Sequence, residues 1–358
     1  MNRKTGSDAV RGLLLGGFVL FAGFAGHLSS AQNKRTPSDG PANQGSRVAR
    51  QDGNKKSGRA VFRFETFGNE GFWTAAVRLP AGIVAANVTP LKALELGLQV
   101  DVDALDDATK KAVAAELKKD PTGRNSALFN DPTVTVKLIN ANAVAGMVVK
   151  DSNGDGKLDV ASGDKVGASC SLCHTITDGS ILNLPGGGSI GKRIDGPANH
   201  NINLGSIFAT ANNSRALYPV LQLSPVLQLS LTANNGKTLG RAPTGLTEKS
   251  TEAEVDAYLS NPQYYPVGMF DDSFDGNGDP MHNTPFFRQD LAAPFGSEGA
   301  IASLDNFNNL VYTGLFDQTN LTTPGGRAFL RKLGGAAGEE IVDDYIKILA
   351  ATNVTGYP

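Results

Sequence analysis

The strongest hydrophobic pattern lies near the C-terminal end of the chain. Ile341, Val342, Tyr345, Ile348 and Leu349 recur on one face at helical spacing, with Glu339, Glu340, Asp343, Asp344 and Lys347 on the rest. That predicts an amphipathic helix. A second helix is predicted over residues 103–119, where Leu105, Ala108, Val113, Ala114 and Leu117 give a partial stripe and Pro121 stops it. Asp131-Pro132 opens a run in which Val134, Leu138, Ile139 and Val144 mark one helical face. Residues 89–98 read as a helix with Pro90 in its first turn and Gly97 near its end. Residues 251–259 pair Thr251 with Glu254 as a capping box. A helix begun at Phe72 is expected to end at Pro80, and a short one to run over 204–211. Strand-like runs are scarce. The pattern predicts a mainly α chain with long loops.

Two leading stretches break from it. Arg3, Lys4 and Arg11 precede an apolar run over 13–28, and Ser29-Ser30-Ala31 supplies small residues at a cleavage site. Residues 1–31 therefore read as a secretory signal peptide. The run is too short and glycine-rich for a spanning helix, so no stable membrane span is expected after cleavage. Residues 32–59 are polar and poor in apolar side chains, the composition of a disordered linker. Order is expected from Ala60, with a helical N-terminal region over 60–150 and a second region over 151–358. The hexapeptide Pro-Val-Leu-Gln-Leu-Ser occurs twice in tandem, from Pro219 and from Pro225, as a local duplication.

Composition narrows the possibilities. The 358 residues are 40% hydrophobic, enough for a sizeable core. A formal charge of -2 gives no reason to expect nucleic-acid binding. Two cysteines make neither a disulfide scaffold nor a four-cysteine cluster. Their placement is what carries chemistry: Cys170-Ser171-Leu172-Cys173-His174.

This is the c-type haem attachment pattern. Two thiols at this spacing form thioethers with the two vinyl groups of one haem, and the adjacent imidazole binds iron from the proximal side. A thioredoxin-like dithiol shares the Cys-x-x-Cys but expects a βαβ setting that the pattern lacks. A zinc site needs further ligands, and only His200 and His282 remain outside the motif and the leader. Attachment of haem c after export agrees with the leader, which places the protein in the periplasm or otherwise outside the cytoplasm. Met281 and His282, in a proline-bounded loop, are the leading distal candidates; Met147, Met269 and His200 rank behind them.

Asp151, Asn153, Asp155, Lys157 and Asp159 follow the first positions of an EF-hand-type calcium loop, with Gly156 at the sharp turn. Ser162 stands where a bidentate Glu is expected, so Ca2+ and an Asx-rich turn remain alternatives. A second acidic loop, Asp271 to Asp279, lacks the rest of the pattern. Gly186 to Arg193 nearly fits a phosphate-binding loop, but Arg193 replaces the magnesium-binding hydroxyl.

At the haem motif the chain resembles the c-type cytochrome superfamily. It also looks like bacterial relatives of the di-haem cytochrome c peroxidase and thiol-oxidoreductase-like proteins. That second likeness runs through Phe64 to Trp73, Gly191 to Asn199, Thr284 to Pro294 and Ser303 to Phe307. The resemblance implies a cytochrome c-like helical haem domain over 151–358. The peroxidases carry two haems, whereas this chain has one Cys-x-x-Cys-His, and Ala293-Pro294-Phe295 departs from their Ala-Pro-Tyr. The expectation is an exported mono-haem electron carrier serving periplasmic redox proteins. The alternative is a haem enzyme of peroxidase or oxygenase type with an open distal site.

Overall fold

The computed structural model describes residues 54–227, 245–262, 265–270, 281–282, 285–286 and 303–357. The stretch read as a leader, 1–31, and the acidic segment 271–279 lie outside the described residues. No helix among the described residues is long and apolar enough to cross a membrane.

Helix α1 (Lys55–Phe64) starts within the stretch expected to be a linker. Asn54 caps it, its side-chain oxygen accepting from the Lys56 and Ser57 N–H groups. Arg63 then reaches across to Asp195. A cap and a long-range ion pair thus order residues whose composition alone lacks apolar surface. A π-turn (Phe72–Ala76) follows, and then α2 (Leu79–Ala85). Pro80 opens that helix rather than ending one, because its missing N–H costs nothing in a first turn. Helices α3 (Pro90–Glu95), α4 (Asp107–Lys119) and α5 (Pro132–Asn140) are capped by Thr89, Asp106 and Asp131. Val144 leaves the expected helical face and bridges to Val100 instead.

The expectation of a mainly α, cytochrome c-like helical domain is corrected here. Helix accounts for 51% and strand for 9% of the described residues, the strands in several small sheets. Strand β1 (Val100–Asp101) pairs in parallel with β6 (Ser189–Gly191), which pairs antiparallel with β5 (Leu182–Asn183). Strands β2 (Met147–Lys150) and β3 (Lys165–Ala168) form one hairpin, and β4 (Thr175–Thr177) pairs with β7 (Arg193–Asp195). A last hairpin joins β8 (Met269–Phe270) and β9 (Met281–His282). Segments this short carry too few positions for a period of two to show.

The remaining helices are α6 (Leu204–Phe208), α7 (Tyr218–Leu227), α8 (Glu252–Leu259), α9 (Leu304–Val311) and α10 (Pro324–Ala351), the last bent at Gly335. The first hexapeptide copy lies within α7, while the second runs beyond the described residues. Tyr345, Ile348 and Leu349 are fully buried, as their spacing predicts. One apolar cluster extends from Phe72 to Val354 and draws on both sides of residue 150. At ~1.5–3 kcal/mol for each large buried side chain, it is the main source of stability.

Candidate functional site

Cys170, Ser171 and Leu172 form a single 3-10 turn between β3 and β4, with Cys173 at its C-cap. The His174 N–H donates to the Cys170 carbonyl at 3.2 Å, so both sulfurs and the imidazole belong to one tight loop. All three side chains are half-buried, and neither cysteine is in a disulfide.

The turn is held from four sides. Asn69 brackets Ala168, donating to its carbonyl at 2.8 Å and accepting from its N–H at 2.9 Å. Ser169 N–H donates to the Gly146 carbonyl at 3.0 Å. Gly146 has φ 81 and a Cβ there would overlap the Leu172 backbone, so both its conformation and the close approach require glycine. The Ser169 hydroxyl donates to the Arg63 carbonyl at 2.9 Å, which docks the end of α1 on the motif. Beyond the motif, Gly196 N–H donates to the His174 carbonyl and Asn199 N–H to the Cys173 carbonyl, both at 2.8 Å. The His174 ring packs on Phe286 with centroids 5.1 Å apart, and Phe286 in turn on Phe62 at 6.0 Å.

Charge collects beside this loop. Arg193 Nε lies 3.0 Å from Asp101 Oδ2, with side chains 2% and 8% exposed. The contact is at ion-pair distance but misaligned for a hydrogen bond, and Nη1 also finds no acceptor. Burial pulls the Arg193 guanidinium below its ordinary value, opposed by Asp101. Arg63 Nε meets both Asp195 oxygens at 2.9 Å. The Arg193 residue that spoils the phosphate-loop pattern is therefore a buried strand residue.

Both thiols keep some exposure, yet the protein around them disfavours thiolate. Burial pushes the Cys173 thiol up to about 12, with Cys170 adding to the effect, and raises Cys170 as well. A dithiol built for disulfide exchange needs the opposite shift.

No family model, curated protein or solved structure matches the chain. The reading of the site rests on its own residues.

A covalent haem fits them. Two sulfurs and an imidazole share one loop at the spacing that attachment requires. The buried Thr175 hydroxyl, next to His174, and Arg193 Nη1 both lack partners. Such donors suit the carboxylates that a haem brings.

Met281 and His282 lie in β9, opposite Phe270 and Met269. This hairpin is tied to the motif through an intermediate segment: Phe286 N–H donates to the Gly196 carbonyl and Gly268 N–H to the Ile202 carbonyl, both at 2.7 Å. Met147 is buried in β2, and His200 is exposed.

The Asp151–Asp159 loop is a chain of Asx turns. Asp151 accepts from Gly154 and Gly156, Asn153 from Asp155, and Asp155 from Lys157. Asp164, outside the nine-position match, accepts from Ser152, Asn153 and Asp159. No group of three or more His, Cys, Asp or Glu among the described residues is placed to hold a metal ion. Arg63, Asn69, Gln99, Arg193 and Asn199 were not singled out as site residues by sequence reasoning. The only signal toward them was that four, all but Gln99, lie in or beside segments carrying the weaker resemblance.

Proposed function

We propose that the chain carries one haem c, attached through Cys170 and Cys173 with His174 as the proximal iron ligand, and passes single electrons between redox partners outside the cytoplasm. The carrying observation is the motif itself, folded as one turn with its three donors together. Bound haem would supply the one-electron iron couple. The protein's part is to hold the imidazole: the Phe286 ring limits its tilt and the Gly196 N–H fixes its backbone. Half-burial of the motif shields the site while leaving an edge toward solvent, where a partner can approach. Met281 or His282 is the proposed distal ligand, on the support of the hairpin's backbone ties to the motif's neighbours.

The test is an oxidised and reduced absorption spectrum of protein made in a host that attaches haem c. We expect haem that survives denaturation, is lost in Cys170→Ala/Cys173→Ala, and gives a six-coordinate reduced spectrum. Purified protein without haem would overturn the reading. Rapid carbon monoxide binding with peroxide turnover would replace electron transfer by the open-site alternative.

A further inference from the structure

The backbone from Gly196 to Ile202 is bonded on two sides at once. Toward the motif, Gly196 and Asn199 donate to the His174 and Cys173 carbonyls, both at 2.8 Å. Toward the hairpin, the Gly196 and Ile202 carbonyls accept from Phe286 and Gly268, both at 2.7 Å. Gly268 immediately precedes β8, and Phe286 follows β9. The same short strap therefore grips the proximal motif and both approaches to the hairpin that carries Met281 and His282. Contact is close: Gly268 has φ 74, and a Cβ there would overlap the His200 carbonyl.

One side chain of the strap is anchored deep in the protein. Asn199, 1% exposed, donates through Nδ2 to the Gly97 carbonyl at 2.9 Å. Its Oδ1 accepts from Gln99 Nε2 at 3.4 Å and from Asn201 N–H at 3.3 Å. Gln99 Oε1 accepts in turn from the Thr177 N–H at 3.2 Å and the Ser189 hydroxyl at 2.7 Å. Every side chain in this Gln99, Thr177, Ser189 and Asn199 network is buried. A buried amide whose donor and acceptor are both used has one comfortable position, because moving it strands groups that water cannot reach.

We infer that Asn199 is a positioning residue of the iron site, fixing the strap so that the hairpin presents its ligand at a set distance from the imidazole side. This rests on the haem reading above. It also makes a claim about the polypeptide alone: the hairpin ties depend on the Asn199 anchor.

Full-length holoprotein is compared as wild type, Asn199→Ala, the neutral Asn199→Ser, and Asn213→Ala. Asn213 is the control, equally buried at 1% and bonded through Nδ2 to the Ala76 carbonyl at 2.7 Å, away from the strap. We expect both Asn199 variants to retain covalent haem. Their reduced iron should bind carbon monoxide about ten- to a hundredfold faster than wild type, matching the order of the loss in metal affinity or activity when an outer-shell partner is removed. Their midpoint potential should also shift. Amide exchange at Gly268 and Phe286 should rise about tenfold or more, while Asn213→Ala, although destabilised, leaves both amides and the carbon monoxide rate unchanged. If Asn199→Ala does not fold, Asn199→Ser, which adds no charge and keeps a hydroxyl, carries the comparison. Wild-type rates and potential in an Asn199 variant, with exchange no faster than in Asn213→Ala, overturn the inference while leaving the haem reading intact. Wild-type protein without haem refutes the haem reading and the iron-site role together, and unchanged exchange at the two amides separately refutes the mechanical link.

Discussion

Replacing Asp101 by Asn should cost about 3–5 kcal/mol of folding stability, because it strands a buried guanidinium. Arg193 is 2% exposed and its Nε lies 3.0 Å from Asp101 Oδ2. The alternatives around it are weak. Nη2 reaches the Asn142 carbonyl only at 3.4 Å, and the Phe64 ring lies 5.5 Å from Cζ, worth about 0.5–2 kcal/mol. Arg63 nearby opposes the charge, and Asp195 offsets part of that opposition. Asn is a clean probe because Asp101 Oδ1 also accepts from the Asp103 N–H at 3.0 Å, a cap that an amide oxygen can keep. Urea unfolding followed by circular dichroism gives the free-energy difference, with an unchanged m-value marking intact folding. The companion Asp101→Asn/Arg193→Met should lose far less than the two single changes summed, since it removes both buried charges. Added salt should leave the difference intact, as buried pairs are poorly screened. The exposed Arg124–Glu95 pair sets the scale: Glu95→Gln should cost about 0–1 kcal/mol. A loss from Asp101→Asn no larger than that would refute the claim that the pair is buried and matched.

Asp317 is buried and its carboxyl is raised by that burial, outweighing the Thr319 bonds. Its folded form holds a proton more tightly than the unfolded chain, so stability falls as pH rises from the ordinary carboxylate value through the raised one. Asp317→Asn should flatten that slope and raise stability at neutral pH, measured by denaturation across the acid range. Gly188→Ala should cost about 1–3 kcal/mol in urea unfolding, because a Cβ there overlaps the Leu98 carbonyl oxygen. Thr251→Ala removes the hydroxyl that accepts from the Glu254 N–H, the side-chain half of the α8 capping box, and should cost about 0.5–2 kcal/mol, read as a lower thermal midpoint.

The features legible in the sequence are those written within a few neighbouring positions. The α8 capping box and the buried Tyr345, Ile348 and Leu349 face need only one turn or two of helix to declare themselves. The single turn that gathers Cys170, Cys173 and His174 is likewise local. Pro80 was misread because a proline stops one helix and starts the next by the same missing N–H, and only the left-handed Arg78 before it distinguishes the two. The strands were illegible for another reason: Ser189–Gly191 and Arg193–Asp195 are three residues each, too short for an alternation of period two to repeat. The groups that hold the motif lie far away in sequence. Asn69 bonds Ala168 across 99 positions and Asn199 bonds Gly97 across 102, and no spacing rule connects such pairs.

Those distant partners converge on a narrow stretch. The Gly97 carbonyl receives Asn199, Gln99 receives Thr177 and Ser189, and Asp101 faces Arg193. Residues 97–101 thus meet the strand that leaves the Cys170–His174 turn, the strap beyond it, and the strand that carries the buried arginine. Apolar packing alone would hold these pieces near one another, but it is non-directional and tolerates sliding. Buried hydrogen bonds and a buried ion pair do not tolerate it, because a small displacement leaves polar groups unsatisfied. The proposed iron site, whose ligands would come from well-separated segments, needs that intolerance. Damage at Gln99, Asp101 or Asn199 should therefore alter the geometry around His174 more than its distance in sequence implies, whereas equal losses of apolar area in α10 should lower stability and leave that geometry alone.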